Sequence, residues 1–228
     1  MPKNTSGKKA KNALEIQNAF KTLFANIKFM SPDAPIHSLV VTSSVPNEGK
    51  STVLFNLASA IATSGKTVLL VEGDLRRRTL ASMTKEHARS GLYSLLVEDA
   101  SQRDAIVQTK MPNLFFLDAE PNIPNPVDVI SSHRFAKMIK TLSQEYDYLL
   151  IDTPPVGTFV DAAIISTLVD GTIMVVKSGS TKQEELKGAY AQLKKADANV
   201  LGLVATFTEG SESEYYYAYY THSGKRVK

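Results

Sequence analysis

The chain has 228 residues, 43% of them hydrophobic and 21% charged, so it is long and apolar enough to bury the core of one complete domain. Its formal net charge of +3 is too small to indicate a nucleic-acid surface, and no nucleic-acid partner is predicted. The absence of cysteine excludes disulfides, thiolate metal sites and a cysteine nucleophile, and the lack of a secretory signal or of an apolar run of about 18 residues indicates a cytoplasmic protein.

Residues 1–37 are predicted to be a basic N-terminal segment followed by one amphipathic helix. The first ten residues are polar and basic, and we expect them to be disordered. From about Lys11 to Phe29, apolar residues recur at helical spacing, and a proline-containing stretch from Ser31 to Pro35 ends the helix. The pattern leaves open whether this helix docks on its own domain or contacts another subunit.

Residues 39–52 combine a strand pattern, a polar turn and a helix start. A β-branched apolar run predicts a buried strand, and Gly-Lys-Ser-Thr then opens a helix. Backbone N–H groups of such a turn and helix N-terminus form a phosphate site. Gly49 lets the backbone approach the phosphates, Lys50 can reach the β and γ oxygens, and the Ser51 hydroxyl can bind Mg²⁺. The predicted nucleotide-binding residues are Ser44, Val45, Pro46, Asn47, Glu48, Gly49, Lys50, Ser51 and Thr52.

Ser44 departs from the general loop pattern G-x-x-x-x-G-K-[ST], in which its position is glycine. The departure weakens the match, because serine tolerates an unusual backbone angle less well than glycine does. A chance Gly-Lys-Ser triplet in a surface turn is the alternative. Such a triplet need not follow a buried strand or start a helix, so the context still favours a nucleotide site.

The second buried strand, residues 67–71, ends in a cluster of charged residues. Glu72 and Asp74 follow it directly, and three arginines come next at positions 76–78. In an open α/β sheet, ligands bind at the carboxyl ends of the strands. Carboxylates there can hold Mg²⁺ or accept a proton, and arginines can neutralise phosphate charge. A solvated turn is the alternative, but the phosphate loop nearby favours a functional role.

The middle of the chain carries weaker patterns. Residues 79–112 are predicted to be helical and irregular, and residues 113–118 to form a third strand. A proline-rich loop at 120–126 leads into a helix near Asp128, and a further helix covers 131–145. We assign this region no functional role.

A second functional strand covers residues 147–152. Its apolar run ends in Asp152 and is followed by Thr-Pro-Pro, which predicts a buried parallel strand with a carboxylate at the ligand edge. In phosphate-loop NTPases, such an aspartate holds the Mg²⁺ shell together with the serine or threonine of the loop. Asp152 and Ser51 therefore form a predicted pair that neither motif establishes alone.

Strands and helices alternate through the rest of the domain. A helix at 158–169, a strand at 171–176, a helix at 181–196 and a strand at 200–207 follow. This alternation predicts an α/β fold with a parallel sheet and helices on both faces, of the phosphate-loop NTPase type with Walker A and Walker B motifs. Residues 38–207 are predicted to form this one domain.

Residues 208–228 are predicted to be a flexible C-terminal tail. An acidic linker from Glu209 to Glu214 precedes a tyrosine cluster and a basic terminus. Glycine, serine and acidic residues leave nothing local to bury the tyrosines against, which favours a phosphoacceptor cluster over a strand or an aromatic patch. The predicted phosphoacceptors are Tyr215, Tyr216, Tyr217, Tyr219 and Tyr220.

Together these motifs resemble those of the bacterial tyrosine kinases (BY-kinases) of capsule and exopolysaccharide synthesis. The resemblance covers essentially the whole chain, and it is greatest for the form whose membrane activator is a separate polypeptide. Residues 44–52 resemble the Walker A loop of the family, 71–77 its second Walker motif, 149–155 its Walker B motif and 215–220 its autophosphorylated cluster.

The resemblance implies a protein tyrosine kinase that uses ATP and Mg²⁺, phosphorylates its own tail and regulates polysaccharide synthesis or export. It also implies partners: the cytoplasmic segment of a membrane activator, which recruits the chain to the inner face of the cell membrane, and a phosphotyrosine phosphatase. Assembly with further copies of the chain into a homo-oligomer is left open. The predicted catalytic residues are Lys50, Glu72, Asp74 and Asp152, and the predicted metal ligands are Ser51, Asp74 and Asp152. Whether Asp74 or Glu72 acts as the base is left open.

Three features depart from the family pattern. The family usually has aspartate where this chain has Glu72, and many members have proline where it has Arg78. In the N-terminal helix, the family's Glu-x-x-Arg-x-x-Arg contact pattern is replaced by Asn18, Lys21 and Phe24. The first departure leaves the geometry of the base open, and the last leaves open whether a stable ring forms.

A nucleotide-binding regulatory ATPase of the partitioning or septum-positioning type is the alternative function. Such an ATPase would carry lysine at the second loop position, where this chain has Val45. A dinucleotide-binding enzyme would need G-x-G-x-x-G, a spacing that the sequence lacks. A regulator that binds nucleotide and presents its tyrosines to another kinase also stays open.

Overall fold

The computed structural model describes residues 5–31, 33–97 and 100–207, which form a seven-stranded sheet with surrounding helices. The strands are β1 (Ser38–Ser43), β2 (Val68–Glu72), β3 (Ile106–Gln108), β4 (Leu114–Leu117), β5 (Tyr148–Asp152), β6 (Gly171–Lys177) and β7 (Val200–Thr206). The helices are α1 (Thr5–Met30), α2 (Lys50–Thr63), α3 (Leu80–Thr84), α4 (Leu92–Val97), α5 (Gln102–Ala105), α6 (Pro126–Ile130), α7 (His133–Glu145), α8 (Asp161–Ser166) and α9 (Gln183–Lys195).

The strand order is β3-β4-β2-β5-β1-β6-β7, and every neighbouring pair of the described strands is parallel except β3 and β4. β5 lies between β2 and β1, so the three strands that carry the predicted motifs are adjacent. The carboxyl ends of parallel strands meet at one edge, which brings the turns after these three strands together. The predicted α/β fold is confirmed.

Helices cover both faces of the sheet. On one face, α1 and α2 pack over the strands and bury side chains such as Ile27, Leu57 and Ile61. On the other face, α7 and α8 bury Phe135 and Ile165. The central strands are therefore buried on both sides, which explains their continuous apolar runs. Burying each large apolar side chain contributes about 1.5–3 kcal/mol, and this packing holds the strand ends in place.

The N-terminal helix α1 docks on its own domain along one face. Ile27 is 2% exposed, Leu23 and Phe24 pack against the core that α2 covers, and the Phe24 ring meets Tyr148 edge-on at 5.3 Å. Of the two alternatives that the sequence left open, docking on the same chain is the one observed. Neither α1, with its 26 residues, nor any other helix in the described ranges is apolar enough over a sufficient length to cross a bilayer.

Two elements in the first half of the chain, α1 and β3, differ from the prediction. α1 begins at Thr5 and not near Lys11, so residues 5–10 are helical where we expected disorder. The last three of these six residues, Lys8, Lys9 and Ala10, are strong helix formers. β3 lies in the segment that we predicted to be helical and irregular. Three residues are too few to show a strand pattern, and β3 is defined by its antiparallel pairing with β4.

Candidate active site

The phosphate loop, residues 44–49, joins β1 to α2 at the carboxyl edge of the sheet. Its backbone is left-handed at Asn47 (φ 64°) and at Gly49 (φ 90°), which is the N-cap of α2. Ser44 is not among the described residues with positive φ, so its position does not require glycine. The departure from the general loop pattern at Ser44 is therefore compatible with the loop conformation.

Glu48 supports the phosphate loop from the side of β6. Its buried carboxylate accepts hydrogen bonds from the Val45 N–H at 2.9 Å, from the Lys177 N–H at 3.3 Å and from the Thr181 hydroxyl. The Thr206 hydroxyl, at the end of β7, donates to the Glu48 carbonyl at 2.7 Å. Glu48 thus links the loop to β6 through its side chain and to β7 through its backbone carbonyl.

Ser51 and Asp152 meet at the centre of the site, because β5 pairs with β1 directly below the start of α2. The Ser51 hydroxyl donates a hydrogen bond to Asp152 Oδ2. Asp152 Oδ1 is buried and has no hydrogen-bond partner in the described part of the chain. Burial raises the pKa of Asp152 to about 6, although Lys50 and the Ser51 hydrogen bond act in the opposite direction.

The Ser51–Asp152 pair fits a divalent cation that also contacts phosphate. The unpartnered Oδ1 atom and the hydroxyl are hard oxygen ligands of the kind that Mg²⁺ prefers. Within the described residues, no group of three or more histidine, aspartate or glutamate side chains could hold a metal by itself. Phosphate oxygens and water would therefore complete the coordination, as is usual for Mg²⁺ at a phosphate loop.

Lys50 and Asp74 approach each other from α2 and from the turn after β2. Lys50 Nζ lies 3.8 Å from Asp74 Oδ2, and their side chains are 14% and 5% exposed. The other carboxylate oxygen, Oδ1, accepts hydrogen bonds from the backbone N–H groups of Arg76 (3.3 Å) and Arg77 (2.9 Å). The turn therefore fixes Asp74 and leaves Oδ2 on the side of Lys50.

Glu72 is engaged with the backbone of its own turn. Its Oε2 atom accepts hydrogen bonds from the N–H groups of Thr79 (2.6 Å) and Leu80 (2.9 Å), and its Oε1 atom accepts from that of Asp74 at 3.3 Å. Burial, and then the nearby Asp152 carboxylate, raise the pKa of Glu72 to about 8. Asp74 lines the cavity described below, whereas Glu72 does not, which separates the two candidates for the base.

The arginine run has separate buried partners. The Arg76 guanidinium pairs with the fully buried Asp161 and lies over the Phe159 ring at 4.5 Å from its centroid. Arg78 pairs with Asp118, and its Nε atom lies 3.1 Å from Oδ1. The second member of the run, Arg77, lines the cavity at the phosphate loop.

Asp161 and Phe159 are site residues that the sequence did not predict. We expected a helix from residue 158, but α8 begins at Asp161, and the Phe159 N–H instead donates to the Pro155 carbonyl at 3.0 Å. No local motif marks either residue, because their partner Arg76 lies about 85 positions earlier in the chain. The prolines after Asp152 were the available signal that the chain turns here before the helix.

Two cavities flank the phosphate loop, and Gly49 and Thr52 line both. The first, which we call the polar cavity, has a volume of about 370 Å³, and its lining includes Lys50, Ser51, Asp74, Arg76, Pro155 and Phe159. The second, which we call the apolar groove, has a volume of about 630 Å³ and lies between α1, α2 and β7, with Phe20, Leu23, Val53, Leu203 and Phe207 in its lining. The loop thus separates a charged compartment from an apolar one.

The predicted phosphoacceptors, Tyr215, Tyr216, Tyr217, Tyr219 and Tyr220, lie outside the described residues. The described chain ends at Phe207, which lines the apolar groove next to Gly49. The residues of the loop, of β2 and of β5 are those that the structure brings together.

A strand, a phosphate loop and a helix, with a carboxylate from a neighbouring strand on the loop serine, define a phosphate-loop NTPase site. A family model described as an AAA domain (AAA_31) matches residues 46–199. The tyrosine-protein kinase CpsD of Streptococcus agalactiae is 33% identical over 219 residues, covering 96% of this chain and 94% of the relative.

Solved structures agree with this class. The chimerical protein CapA2B2 is 36% identical with a TM-score of 0.78, and the match covers 82% of each chain. The septum site-determining protein MinD from Pyrococcus horikoshii, solved in complex with Mg-ADP, is 26% identical with a TM-score of 0.64, covering 74% of this chain and 69% of that one. The chain belongs to the family of bacterial tyrosine-protein kinases, and the resemblance drawn from its motifs is confirmed.

Proposed function

We propose that this protein is an ATP-dependent protein tyrosine kinase that phosphorylates its own C-terminal tyrosines and so regulates capsular or exopolysaccharide synthesis and export. The observation that carries the chemistry is the Lys50–Asp74 pair, with 3.8 Å between Nζ and Oδ2, in the same cavity as Ser51. The similarity to a relative named as a tyrosine-protein kinase supports the class of reaction.

The nucleotide would lie across the phosphate loop. Its phosphates fit the polar cavity, where loop N–H groups and Lys50 supply positive charge. Its base fits the apolar groove on the other side of Gly49 and Thr52, where Phe207, which is 67% exposed, offers a ring for stacking. MinD was solved with Mg-ADP, which supports nucleotide and Mg²⁺ as ligands of this fold.

Ser51 and Asp152, with Asp74 beside them, would hold Mg²⁺. When bound, the ion neutralises charge on the β and γ oxygens of ATP during transfer. The protein contributes the unpartnered Asp152 Oδ1 atom, which no described donor satisfies, and a serine hydroxyl held next to it. These groups already lie together at the first turn of α2.

Asp74 is the base in the reaction that we propose. A tyrosine hydroxyl has a pKa near ~10 and is mostly protonated at neutral pH, so it needs a proton acceptor. Asp74 Oδ2 would take the phenolic proton as the phenolic oxygen bonds to the γ-phosphorus. The bond from that phosphorus to the β–γ bridging oxygen breaks, and its electron pair leaves on ADP. Lys50 would stabilise this charge, while Glu72 supports the turn that carries Asp74.

Replacing Lys50 by methionine tests the kinase directly. Lys50→Met keeps most of the length of the side chain and removes its charge, so we expect phosphotyrosine formation with ATP and Mg²⁺ to fall by at least about 10²-fold. The thermal midpoint should change by no more than a few degrees. Lys66→Met, at an exposed lysine outside the cavity, is the matched control. Unchanged phosphotyrosine in a folded Lys50→Met protein would refute the proposed mechanism.

We also propose that the chain acts with partners at the membrane. The cytoplasmic segment of a membrane activator would recruit it to the inner face of the membrane and raise its activity, a phosphotyrosine phosphatase would reverse the modification, and copies of the chain would associate. The altered helix positions Asn18, Lys21 and Phe24 suggest weak association and weak activity without the activator. Equal autophosphorylation with and without the activator segment would contradict this dependence.

A nucleotide-binding regulatory ATPase without kinase activity is the second candidate. The fold shared with MinD favours it, but Val45 stands where the partitioning and septum-positioning type carries lysine. Incubation of the pure protein with ATP, Mg²⁺ and the activator segment separates the two. Phosphate release with no phosphotyrosine would support the ATPase, and phosphotyrosine on the tail would support the kinase.

A further inference from the structure

The polar cavity has an aromatic wall that phosphate binding leaves unused. Pro155 and Phe159 line the cavity that also holds Lys50 and Asp74. A nucleotide placed as above presents only phosphates here, because its base lies in the apolar groove. We propose that this wall binds the aromatic ring of the acceptor tyrosine, and that Arg77 beside it binds acidic residues preceding that tyrosine. The proposal rests on the proposed kinase function and adds an acceptor site to it.

Contacts within the protein hold the wall in place without an acceptor. The Phe159 N–H donates to the Pro155 carbonyl at 3.0 Å, which closes a turn and places the two side chains at the same cavity. The Arg76 guanidinium lies 4.5 Å from the Phe159 ring centroid and is held in turn by the buried Asp161. An acceptor ring that packs here therefore pays little for ordering the protein, which favours binding.

The shape of the site favours tyrosine over serine or threonine. Asp74 lines the same cavity as Phe159, so a flat ring against the wall can carry a hydroxyl to the base. The hydroxyl of a serine or threonine is attached directly to Cβ, and these side chains would leave the aromatic wall uncovered. Contact between two aromatic rings is worth about 0.5–1.5 kcal/mol beyond area burial, or about 2- to 12-fold in affinity.

The positive charge of Arg77 beside the wall is complementary to the acidic residues that precede the tyrosine cluster. Arg77 lines the polar cavity, and its guanidinium group makes a long contact, 3.4 Å from Nη1 to the Asn47 side-chain oxygen. Within the described ranges Arg77 has no ion pair, unlike the arginines on either side of it. Glu212 and Glu214 precede the first tyrosine of the tail. An acidic peptide with a tyrosine directly after its glutamates therefore has the chemistry that this site selects.

Peptide binding tests the wall without requiring catalysis. The probe is a fluorescein-labelled peptide with the sequence of residues 209–221, and the protein is the full chain with its five tail tyrosines replaced by serine, saturated with Mg²⁺ and ADP. Fluorescence anisotropy gives the peptide Kd. We expect Phe159→Ala to raise this Kd by about 3- to 10-fold and to leave the ADP Kd unchanged.

Val160→Ala is the matched control, because Val160 is the next residue, is 49% exposed and does not line the cavity. It should change neither Kd. A peptide with phenylalanine for tyrosine should bind within about 2-fold of the original, and a peptide with serine for tyrosine should bind weakly and be insensitive to Phe159→Ala. No binding of the original peptide, or an equal Kd in Phe159→Ala, overturns the proposal, as does a parallel loss of ADP affinity.

The acidic preference is tested by a double-mutant cycle. Arg77→Ala and a peptide with glutamine for glutamate should each raise the Kd by about 2- to 5-fold, and together they should raise it no further, because both remove the same contact. Arg89→Ala, at an arginine that is 89% exposed and outside the polar cavity, should show additive behaviour. Additive effects of Arg77→Ala and the glutamine-containing peptide would show that Arg77 does not contact the glutamates of the peptide.

These experiments distinguish a failure of the proposed peptide site from a failure of the proposed kinase function. If the wild-type protein binds the peptide but never forms phosphotyrosine with ATP and the activator segment, the kinase function is wrong and the peptide site stands. If phosphotyrosine forms and the Km for the peptide is unaffected by Phe159→Ala, the kinase function stands and the aromatic wall is not the acceptor site.

Discussion

Asp147 and Asp170 at the amino edge of the sheet differ from Asp152 at the carboxyl edge in how fully the protein satisfies their oxygens. At the amino edge, Asp147 accepts hydrogen bonds from the Thr67 N–H and hydroxyl at 2.8 and 2.9 Å and pairs with Lys66 at 3.1 Å. The hydrogen bonds to Thr67 and Lys66 lower the pKa of Asp147. Asp170 at the same edge accepts from the Ser38 N–H at 2.7 Å. These carboxylates are satisfied within the protein and join neighbouring strands.

At the carboxyl edge, burial is the main influence on the pKa values of Glu72 and Asp152. Asp152 keeps an unpartnered oxygen, and its pKa and that of Glu72 are raised by loss of hydration. The protein alone gains nothing from an unpartnered buried oxygen such as Asp152 Oδ1, because an uncompensated buried charge is unfavourable. A carboxylate whose oxygens accept hydrogen bonds from the protein therefore stabilises this fold. A carboxylate with an unpartnered oxygen costs stability and is available to a cation or a proton.

Of the substitutions at the two edges, Asp152→Asn should cause the largest change, and that change is in activity. The substitution removes the charge that would hold Mg²⁺, so we expect phosphotyrosine formation to fall by at least about 10²-fold. Because it also removes a buried charge, the free energy of unfolding without nucleotide should stay unchanged or rise by on the order of 1 kcal/mol. Urea unfolding and phosphotyrosine assays measure the two effects. A stability loss of several kcal/mol would show that Asp152 is structural.

The stability of the nucleotide-free protein should decrease as pH rises. Glu72 has a folded pKa of about 8 against an ordinary value of 4.5, so between these limits the folded state binds up to roughly one more proton than the unfolded state. Its contribution is fully present below pH about 4.5 and is lost as pH rises through about 8. Urea unfolding from pH 5 to 8.5 measures the slope.

Glu72→Gln mimics the protonated form of that side chain and should flatten the slope, while Asp147→Asn should not. A stability that rises across this pH range in the wild type, or an identical slope in Glu72→Gln, would contradict the assignment.

Asp147→Ala should destabilise the fold and leave the site intact. It removes the acceptor for two Thr67 donors, which we expect to lower the free energy of unfolding by about 1–2 kcal/mol. Because Asp147 lies at the opposite edge from the phosphate loop, the Kd for Mg-ADP should change by less than about 2-fold. Equilibrium titration with ADP checks this, and a large loss of affinity would show that the two edges are coupled.

Lys66→Ala should have the smallest effect. The Lys66–Asp147 pair is exposed, at 54% and 37% of the two side chains, and solvent screens it. We expect a decrease of less than about 1 kcal/mol in the free energy of unfolding, smaller than that of Asp147→Ala in the same urea titration. An equal effect of the two substitutions would mean that the ion pair, not the Thr67 hydrogen bonds, carries the contribution of Asp147.

Local patterns predicted most of the fold and, in the site, the phosphate loop and the carboxylates after β2 and at the end of β5. The β-branched runs of β1, β2 and β5 and the Gly-Lys-Ser-Thr start of α2 are periodic signals within a few residues, so strand, loop and helix followed from them. β3 was missed because its three residues depend on pairing with β4. α1 begins earlier than the polar, basic composition of residues 5–10 predicts, because lysine favours helix although it is charged.

The meeting of a phosphate loop, a carboxylate after β2 and Asp152 at one sheet edge was predictable from the chain alone, because strand direction brings these segments together. The different positions of Asp74, which lines the cavity, and Glu72, which binds the backbone of its turn, could not be predicted, because they depend on which N–H groups each oxygen reaches after folding. The aromatic wall of Phe159 and Arg76 was likewise invisible in the sequence, because its parts are distant along the chain and contact each other only after folding.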